Sequence, residues 1–261
     1  SREEEKKTAE YLICICNEFA SGAYTEEFPV DLADIKRAKL YADGAEIPCK
    51  AYFLCGSGIA EGELYYLRST DKYSLSQCRG KIVMIDSYLG FWRYRELLEN
   101  GAIAFITFDG NVNYADRDID QRELRPYVSK GDKLLGVNIN AKDAVKMIED
   151  GVKEIRIEVE QDEYVGNSQN VVIELKGERE EFIALTAHYD STSLSTGAFD
   201  NMSGCLGLLH MIEYFSKNPH SYSLRFIFCG SEERGLLGSK AYCETHGEEL
   251  DKCVLCINLD M

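Results

Sequence analysis

Three stretches of the chain end in side chains that can hold a metal ion or move a proton: Ala187-His188-Tyr189-Asp190, Cys229-Gly230-Ser231-Glu232-Glu233 and Asn258-Leu259-Asp260. Between the first two lies Gly197-Ala198-Phe199-Asp200-Asn201. Each of the three closes an apolar run with strand character. The carboxyl ends of strands in an open α/β sheet face the crevice where such folds bind ligands, so residues far apart in sequence can meet there. Carboxylates gathered in a half-buried crevice repel one another and lose hydration, which calls for a cation or for proton uptake. Imidazole with carboxylates suits Zn²⁺, and Mn²⁺ and Co²⁺ accept similar sets. Asp190, two residues beyond His188, is placed to orient the imidazole as an outer carboxylate. Ser231 lacks the Gly-Xaa-Ser-Xaa-Gly setting of a nucleophilic serine, so the residues favour a metal-activated water.

The order of these elements resembles the M28 peptidases. The pattern is His-Xaa-Asp-Ser, then Gly-Ala-Xaa-Asp-Asn-Xaa-Ser-Gly, then Glu-Glu-Xaa-Gly-Leu-Xaa-Gly-Ser, then a strand ending in Asp. Here it reads His188 to Ser191, Gly197 to Gly204, Glu232 to Ser239, and Asp260. The resemblance implies a zinc aminopeptidase acting on peptides, with two ions in the intact protein. It implies that His188 and Asp260 hold one ion, that Asp200 bridges both and that Glu233 holds the other. Glu232 would be the general base and Asp190 the catalytic partner of His188. Family members carry a further histidine downstream of the strand-ending Asp, and none follows Asp260 here, so a C-terminally truncated chain with one incomplete metal site is expected.

The elements that must position these groups are legible as alternation. After Gly166 the expected order is strand Asn170 to Leu175, strand Glu181 to Ala187, helix Asn201 to Ser216, strand Ser223 to Cys229 and strand Val254 to Leu259. Nearly continuous apolar strands alternating with amphipathic helices imply a mixed α/β sheet buried by helices on both faces. At the N-terminus, residues 5–19 read as a helix with Tyr11, Leu12, Ile15 and Phe19 on its apolar face, ended by Gly22. A short strand, Tyr24 to Val30, follows.

Between about Asp34 and Val165 the texture changes to short strands broken by Gly, Asp and Asn. Lys81 to Asp86, Trp92 to Asn100 and Ala102 to Thr107 form a strand, helix, strand sequence of βαβ length. A helix Ala141 to Glu149 then leads into an alternating strand Ile155 to Val159. Gly80-Lys81-Ile82-Val83 and Gly101-Ala102-Ile103-Ala104 resemble a protease-associated domain. The expected architecture is a zinc-exopeptidase domain (phosphorylase/hydrolase-like) split into 1–33 and 166–261, with a protease-associated α/β insert at 34–165.

Composition narrows the partners. A net charge of −16 over 261 residues disfavours nucleic acid and anionic membranes, which demand clustered Lys and Arg. No apolar run reaches the length of a membrane span. Ten cysteines would suit a disulfide scaffold or a reduced protein. Cys14, Cys205, Cys229 and Cys256 lie in apolar runs, which favours buried thiols. Their number and the unlike-leader N-terminus point to a reducing interior, whereas the protease-associated resemblance points to secreted or periplasmic relatives. His210, His220 and His246 lack metal-ligand spacing. Alternatives on the same fold are a carboxypeptidase, dipeptidase or glutaminyl-cyclase-like enzyme, and a non-catalytic receptor-like peptide binder. The pairing of Glu232 with Glu233 argues against the last.

Overall fold

The computed structural model describes residues 2–86, 89–110 and 118–261. In chain order its elements are α1 (Arg2–Phe19), β1 (Tyr24–Ala42), β2 (Ala45–Ile47), β3 (Lys50–Ala51), β4 (Gly58–Tyr66), α2 (Lys72–Ser76), β5 (Ile82–Ile85), α3 (Phe91–Glu99) and β6 (Ala104–Asp109). They continue as α4 (Pro126–Ser129), β7 (Leu135–Asn140), α5 (Ala141–Glu149), β8 (Glu154–Leu175), β9 (Phe182–His188), α6 (Met202–Lys217), β10 (Ser223–Cys229), α7 (Leu237–Thr245) and β11 (Cys253–Asn258). The chain divides into two compact units, Ser1–Val30 with Gly166–Met261, and Asp31–Val165.

The first unit carries the candidate chemistry. Its strands run in the order β11, β9, β10, β8. β9 is parallel to both β10 and β11, and β10 is antiparallel to the end of β8, with Leu224 opposite Leu175. One face of this sheet is covered by α1 and α6: Leu12, Cys16, Cys205, Leu208 and Ile212 pack on Val171, Ile173, Phe226 and Phe228. Tyr242 of α7 packs on the other side with Val172, Phe182, Ala184 and Ile227. The fold is therefore the mixed α/β sheet with helices on both faces that the alternation implies.

Several boundaries differ from the sequence-based expectation. The buried stripe of α1 is Ala9, Leu12 and Cys16, spaced i, i+3, i+7, while Tyr11 is 63% exposed. Of the expected apolar face, Leu12 is buried and Ile15 and Phe19 pack partly buried against the same core, so only Tyr11 is misplaced; small residues let α1 approach α6. Glu3, Glu4 and Glu5 in its first turn complement the helix dipole, and Gly22 follows with φ +104°. The strand expected at Tyr24 to Val30 continues to Ala42, and those expected at Ile155 to Val159 and Asn170 to Leu175 are parts of one strand, β8. Polar residues between the two apolar runs of β8 suggested a break, yet alternation with exposed side chains is compatible with unbroken extended backbone.

β11 departs from the expectation of a buried strand. It is the outer strand of its unit, and Val254, Leu255 and Ile257 are exposed. Cys256 is exposed with them, and Cys14 lies on the outer side of α1, so two of the four cysteines expected in the core are at the surface. Cys205 and Cys229 are buried, as is Cys16, and burial pushes each of these three thiols up to about 12, which keeps them protonated and apolar in behaviour.

In the second unit β4, β5, β6 and β7 form a parallel set, with β3 antiparallel to β7 and Glu154 to Val159 of β8 antiparallel to β4. The strand, helix, strand reading at 81–107 is realised as β5, α3 and β6, and α5 has the expected span. Ile82 to Ile85, Ala104 to Ile106, Tyr94 and Leu97 form its core, with Phe105 edge-on to Tyr52. Among the described residues no helix is long and apolar enough to cross a membrane.

The sheet of the first unit should dominate its stability. Phe228→Ala, which empties a fully buried site, should cost about 3–5 kcal/mol in urea denaturation. Tyr11→Ala should stay within about 0.5 kcal/mol of the parent.

Candidate metal centre

β9 ends at His188, which is 4% exposed, and the backbone beyond it turns so that Asp190 comes back beside the imidazole. The ring Nδ1 lies 3.0 Å from the Asp190 carbonyl oxygen. A carbonyl can only accept, so Nδ1 carries a proton, and Nε2, which faces the remaining acids, is the nitrogen a metal would use once its own proton is lost. Around Nε2 stand Asp200 Oδ1 at 3.0 Å, Asp260 Oδ1 at 3.4 Å and Glu232 Oε2 at 3.8 Å. His188, Asp200 and Asp260 each offer one ligand atom within 4.8 Å of the others. One imidazole nitrogen and two carboxylate oxygens are a donor set that zinc accepts, so the residues present fit the ion that the motif implies.

Three loops bring these groups together. Asp200 lies in the turn before α6, Glu232 and Glu233 follow β10, and Asp260 follows β11. Because β9 lies between β10 and β11 and runs parallel to both, all three strand ends fall on one edge. Two side-chain clamps hold the loops in register. The first is the Asp190 carboxylate, which accepts from the backbone N–H of Glu232 at 2.9 Å and of Glu233 at 3.1 Å. Asp190 therefore orients His188 through its carbonyl and the two glutamates through its side chain.

The second clamp is Asn201, which is fully buried. Its side-chain oxygen accepts from the Gly204 N–H at 3.2 Å, and its amide donates to the Leu259 carbonyl at 2.8 Å, so it links the Asp200 turn to the Asp260 strand end. Gly204 is required here for close approach. A Cβ at that position would lie 2.5 Å from both the Leu259 oxygen and Asn201 Oδ1. Asn201 was missed as a functional residue, although an Asn directly before a helix and three residues before Gly204 is a recognisable N-cap.

The electrostatics of the cluster are those of crowded acids around one imidazole. Burial by itself lowers the His188 basicity, but the Asp190 carboxylate and carbonyl and the Glu232 charge outweigh it and push the imidazole up to about 9. Burial pushes the Glu232 carboxyl up; His188 opposes this, and Asp190, Asp260 and Asp200 add to it. Glu233 is raised by burial first, and then by the charges of Asp200, Glu232 and Asp190. Glu233 thus sits near enough to Asp200 to feel its charge. Of the remaining histidines, His210 is exposed on α6, His220 meets the Tyr222 carbonyl, and His246 stacks on Tyr242 and bonds Glu26.

Two outcomes follow for the metal-free protein. Raised His188 stabilises the fold fully below its ordinary value near 6.5 and ceases to do so as pH rises through about 9. Raised Glu232 and Glu233 oppose folding once ionised, so stability should fall with increasing pH on all three accounts. Zinc must displace the imidazolium proton, so its affinity should rise up to about tenfold per pH unit below 9, with proton release visible by calorimetry in buffers of different ionisation enthalpy. Separately, Asn201→Ala leaves the Leu259 carbonyl and the Gly204 N–H unpaired and should cost about 1–3 kcal/mol in urea denaturation.

Known proteins resemble this chain in sequence and in fold. Residues 170–261 match the family model described as Peptidase family M28. Aminopeptidase YwaD of Bacillus subtilis is 43% identical over 82 residues, which are 31% of this chain and 18% of that protein. The structure of BSAP, a zinc aminopeptidase from Bacillus subtilis, superposes with a TM-score of 0.80 at 25% identity, over 98% of this chain and 63% of that one. The aminopeptidase from Aneurinibacillus sp. strain AM-1 has the same fold, with a TM-score of 0.72 at 22% identity over 99% of this chain and 65% of that one. The chain thus spans less than two thirds of the length of these relatives.

Proposed function

With residues 170–261 a peptidase family M28 domain, we propose that the intact protein is a di-zinc metallopeptidase that removes N-terminal residues from peptides. The observation that carries this reading is the convergence of Asp200, Asp260 and Glu232 on the Nε2 side of His188. Exopeptidase action is supported by the likeness to aminopeptidase YwaD and to the zinc aminopeptidase BSAP, both of Bacillus subtilis. Asp31–Val165 is read as a protease-associated insert, supported by its parallel β5, α3, β6 unit.

His188 and Asp260 would hold one ion, Glu233 the other, and Asp200 both. When bound, zinc supplies Lewis-acid polarisation of the scissile carbonyl and of an attacking water. Asp190 keeps the Nδ1 proton of His188 engaged through its carbonyl, so that Nε2 stays available as a ligand atom. Glu232 Oε2, close to the ligand atoms without being among the three tightest, is placed to accept the proton of the attacking water and return it to the leaving amine. Its raised basicity, due first to burial and then shaped by the surrounding charges, suits a group that must take a proton and release it.

Elemental analysis of the whole protein should find two zinc ions per chain, and hydrolysis of leucine p-nitroanilide should stop when they are chelated. Glu232→Ala should keep both ions and lower kcat by about 10²–10⁴-fold. A folded protein with neither zinc nor hydrolysis overturns the reading in favour of a peptide binder on a peptidase fold.

A further inference from the structure

Beneath the Glu232-Glu233 turn lies a polar cluster that none of these roles uses. Ser231, at the first position of the turn, is buried and has φ +53°, a left-handed conformation disfavoured for a residue with a Cβ. Its hydroxyl lies 2.9 Å from that of Ser168, a buried residue of β8, and 3.2 Å from Glu5 Oε1. Ser168 Oγ donates to the same Glu5 oxygen at 2.7 Å. The carboxylate belongs to the first turn of α1, where Glu3 and Glu4 are exposed. Glu5 instead turns inward, against the backbone of Gly230: a Cβ there would lie 3.0 Å from Glu5 Oε1 and 2.9 Å from Ser168 Oγ.

An inward glutamate in this place is unfavourable on its own account. Burial pushes its carboxyl up, and the nearby Asp190 charge adds to this, while Ser168, Ser231 and Arg234 oppose them. What it accomplishes is geometric. The left-handed Ser231 reverses the chain so that the N–H groups of Glu232 and Glu233 point at the Asp190 carboxylate. Asp190 holds the turn from the His188 side, Glu5 holds it from the α1 side, and Asn170 of β8 closes it, accepting from the Gly230 N–H at 3.2 Å and donating to the Gly238 carbonyl at 2.9 Å.

We propose that Glu5 is a positioning residue of the metal centre: by accepting hydrogen bonds from Ser231 and Ser168, it locks the turn that sets Glu232 and Glu233. The inference rests on the metallopeptidase reading above and extends it to the N-terminal helix. Glu5 touches no substrate or ion; it acts through Ser231. Loss of an outer partner of this kind lowers metal affinity or turnover by about 10–100-fold.

The test uses the intact protein, stripped of metal and titrated with zinc alone by calorimetry, with kcat and KM for leucine p-nitroanilide measured on the loaded forms. Glu5→Ala should weaken zinc binding by about tenfold or more and lower kcat by a similar factor, with KM within about threefold of the parent. Glu5→Gln keeps an acceptor oxygen in the same place and should recover both quantities to within about threefold. Ser231→Ala, which removes one donor and leaves α1 intact, should repeat the Glu5→Ala losses, and it decides the matter if Glu5→Ala does not fold. If Glu5→Ala or Ser231→Ala melts at lower temperature yet binds zinc and turns over as the parent does, Glu5 is a scaffold residue and the inference is overturned. A parent protein that binds no zinc overturns the metallopeptidase reading itself, and this inference with it.

Discussion

Everything in the first unit answers to the crowding of acidic groups around one buried imidazole. Asp190, Asp200, Glu232 and Asp260 all come within 3.8 Å of a His188 ring nitrogen. Like charges at such distances repel strongly in a partly desolvated crevice. The arrangement persists because each acid is delivered by backbone that is held elsewhere. Parallel pairing of β9 with β10 and β11 brings the strand ends to one edge, and hydrogen bonds to main-chain groups fix the turns that follow. Without a cation, protonation of His188 partly compensates the charge; with one, the same geometry becomes a ligand set.

The two clamps show how positioning is divided. Asp190 ties the β9 end to the β10 end, and Asn201 ties the α6 start to the β11 end. Both use side chains to satisfy main-chain groups that the sheet leaves unpaired at its rim, where a buried unpaired donor or acceptor is costly. Small residues make this possible. Gly204 and Gly230 stand where a Cβ would strike a neighbouring carbonyl, so the helix and the turn can approach the strand ends closely.

Much of this was legible from residue order. The spacing of His188, Asp200, Glu232, Glu233 and Asp260 places one imidazole and four acids at or just beyond successive strand ends, and apolar runs at 182–188 and 223–229 define two of the strands that carry them. What stayed hidden is instructive. Tyr11 reads as core but is exposed, because an amphipathic pattern specifies a stripe only to within a residue or so, and small Ala9 and Cys16 suit the contact with α6. The continuity of β8 is concealed by its polar middle. The dual role of Asp190 and the bridging by Asn201 depend on which main-chain groups fall nearby, and that is a property of the assembled turns. Glu5 only opens the helix expected at 5–19, and nothing in that pattern marks it; inside the fold it meets two serines far along the chain.

That distance has a kinetic meaning. Ser231 and the Glu5 carboxylate are 226 residues apart in sequence, and α1 packs on strands that follow all of 31–165. A contact between such remote parts adds to contact order, and folds rich in these contacts assemble slowly. During synthesis from the N-terminus, α1 emerges long before its sheet exists and must wait, apolar stripe unpaired, until β10 has been made. Loop-closure entropy grows only logarithmically, so the equilibrium burden of the intervening segment is modest, about 0.6 kcal/mol for each doubling of its length. The time for which α1 remains undocked is the larger consequence, and it makes the first helix the part of this fold most dependent on protection before the chain is complete.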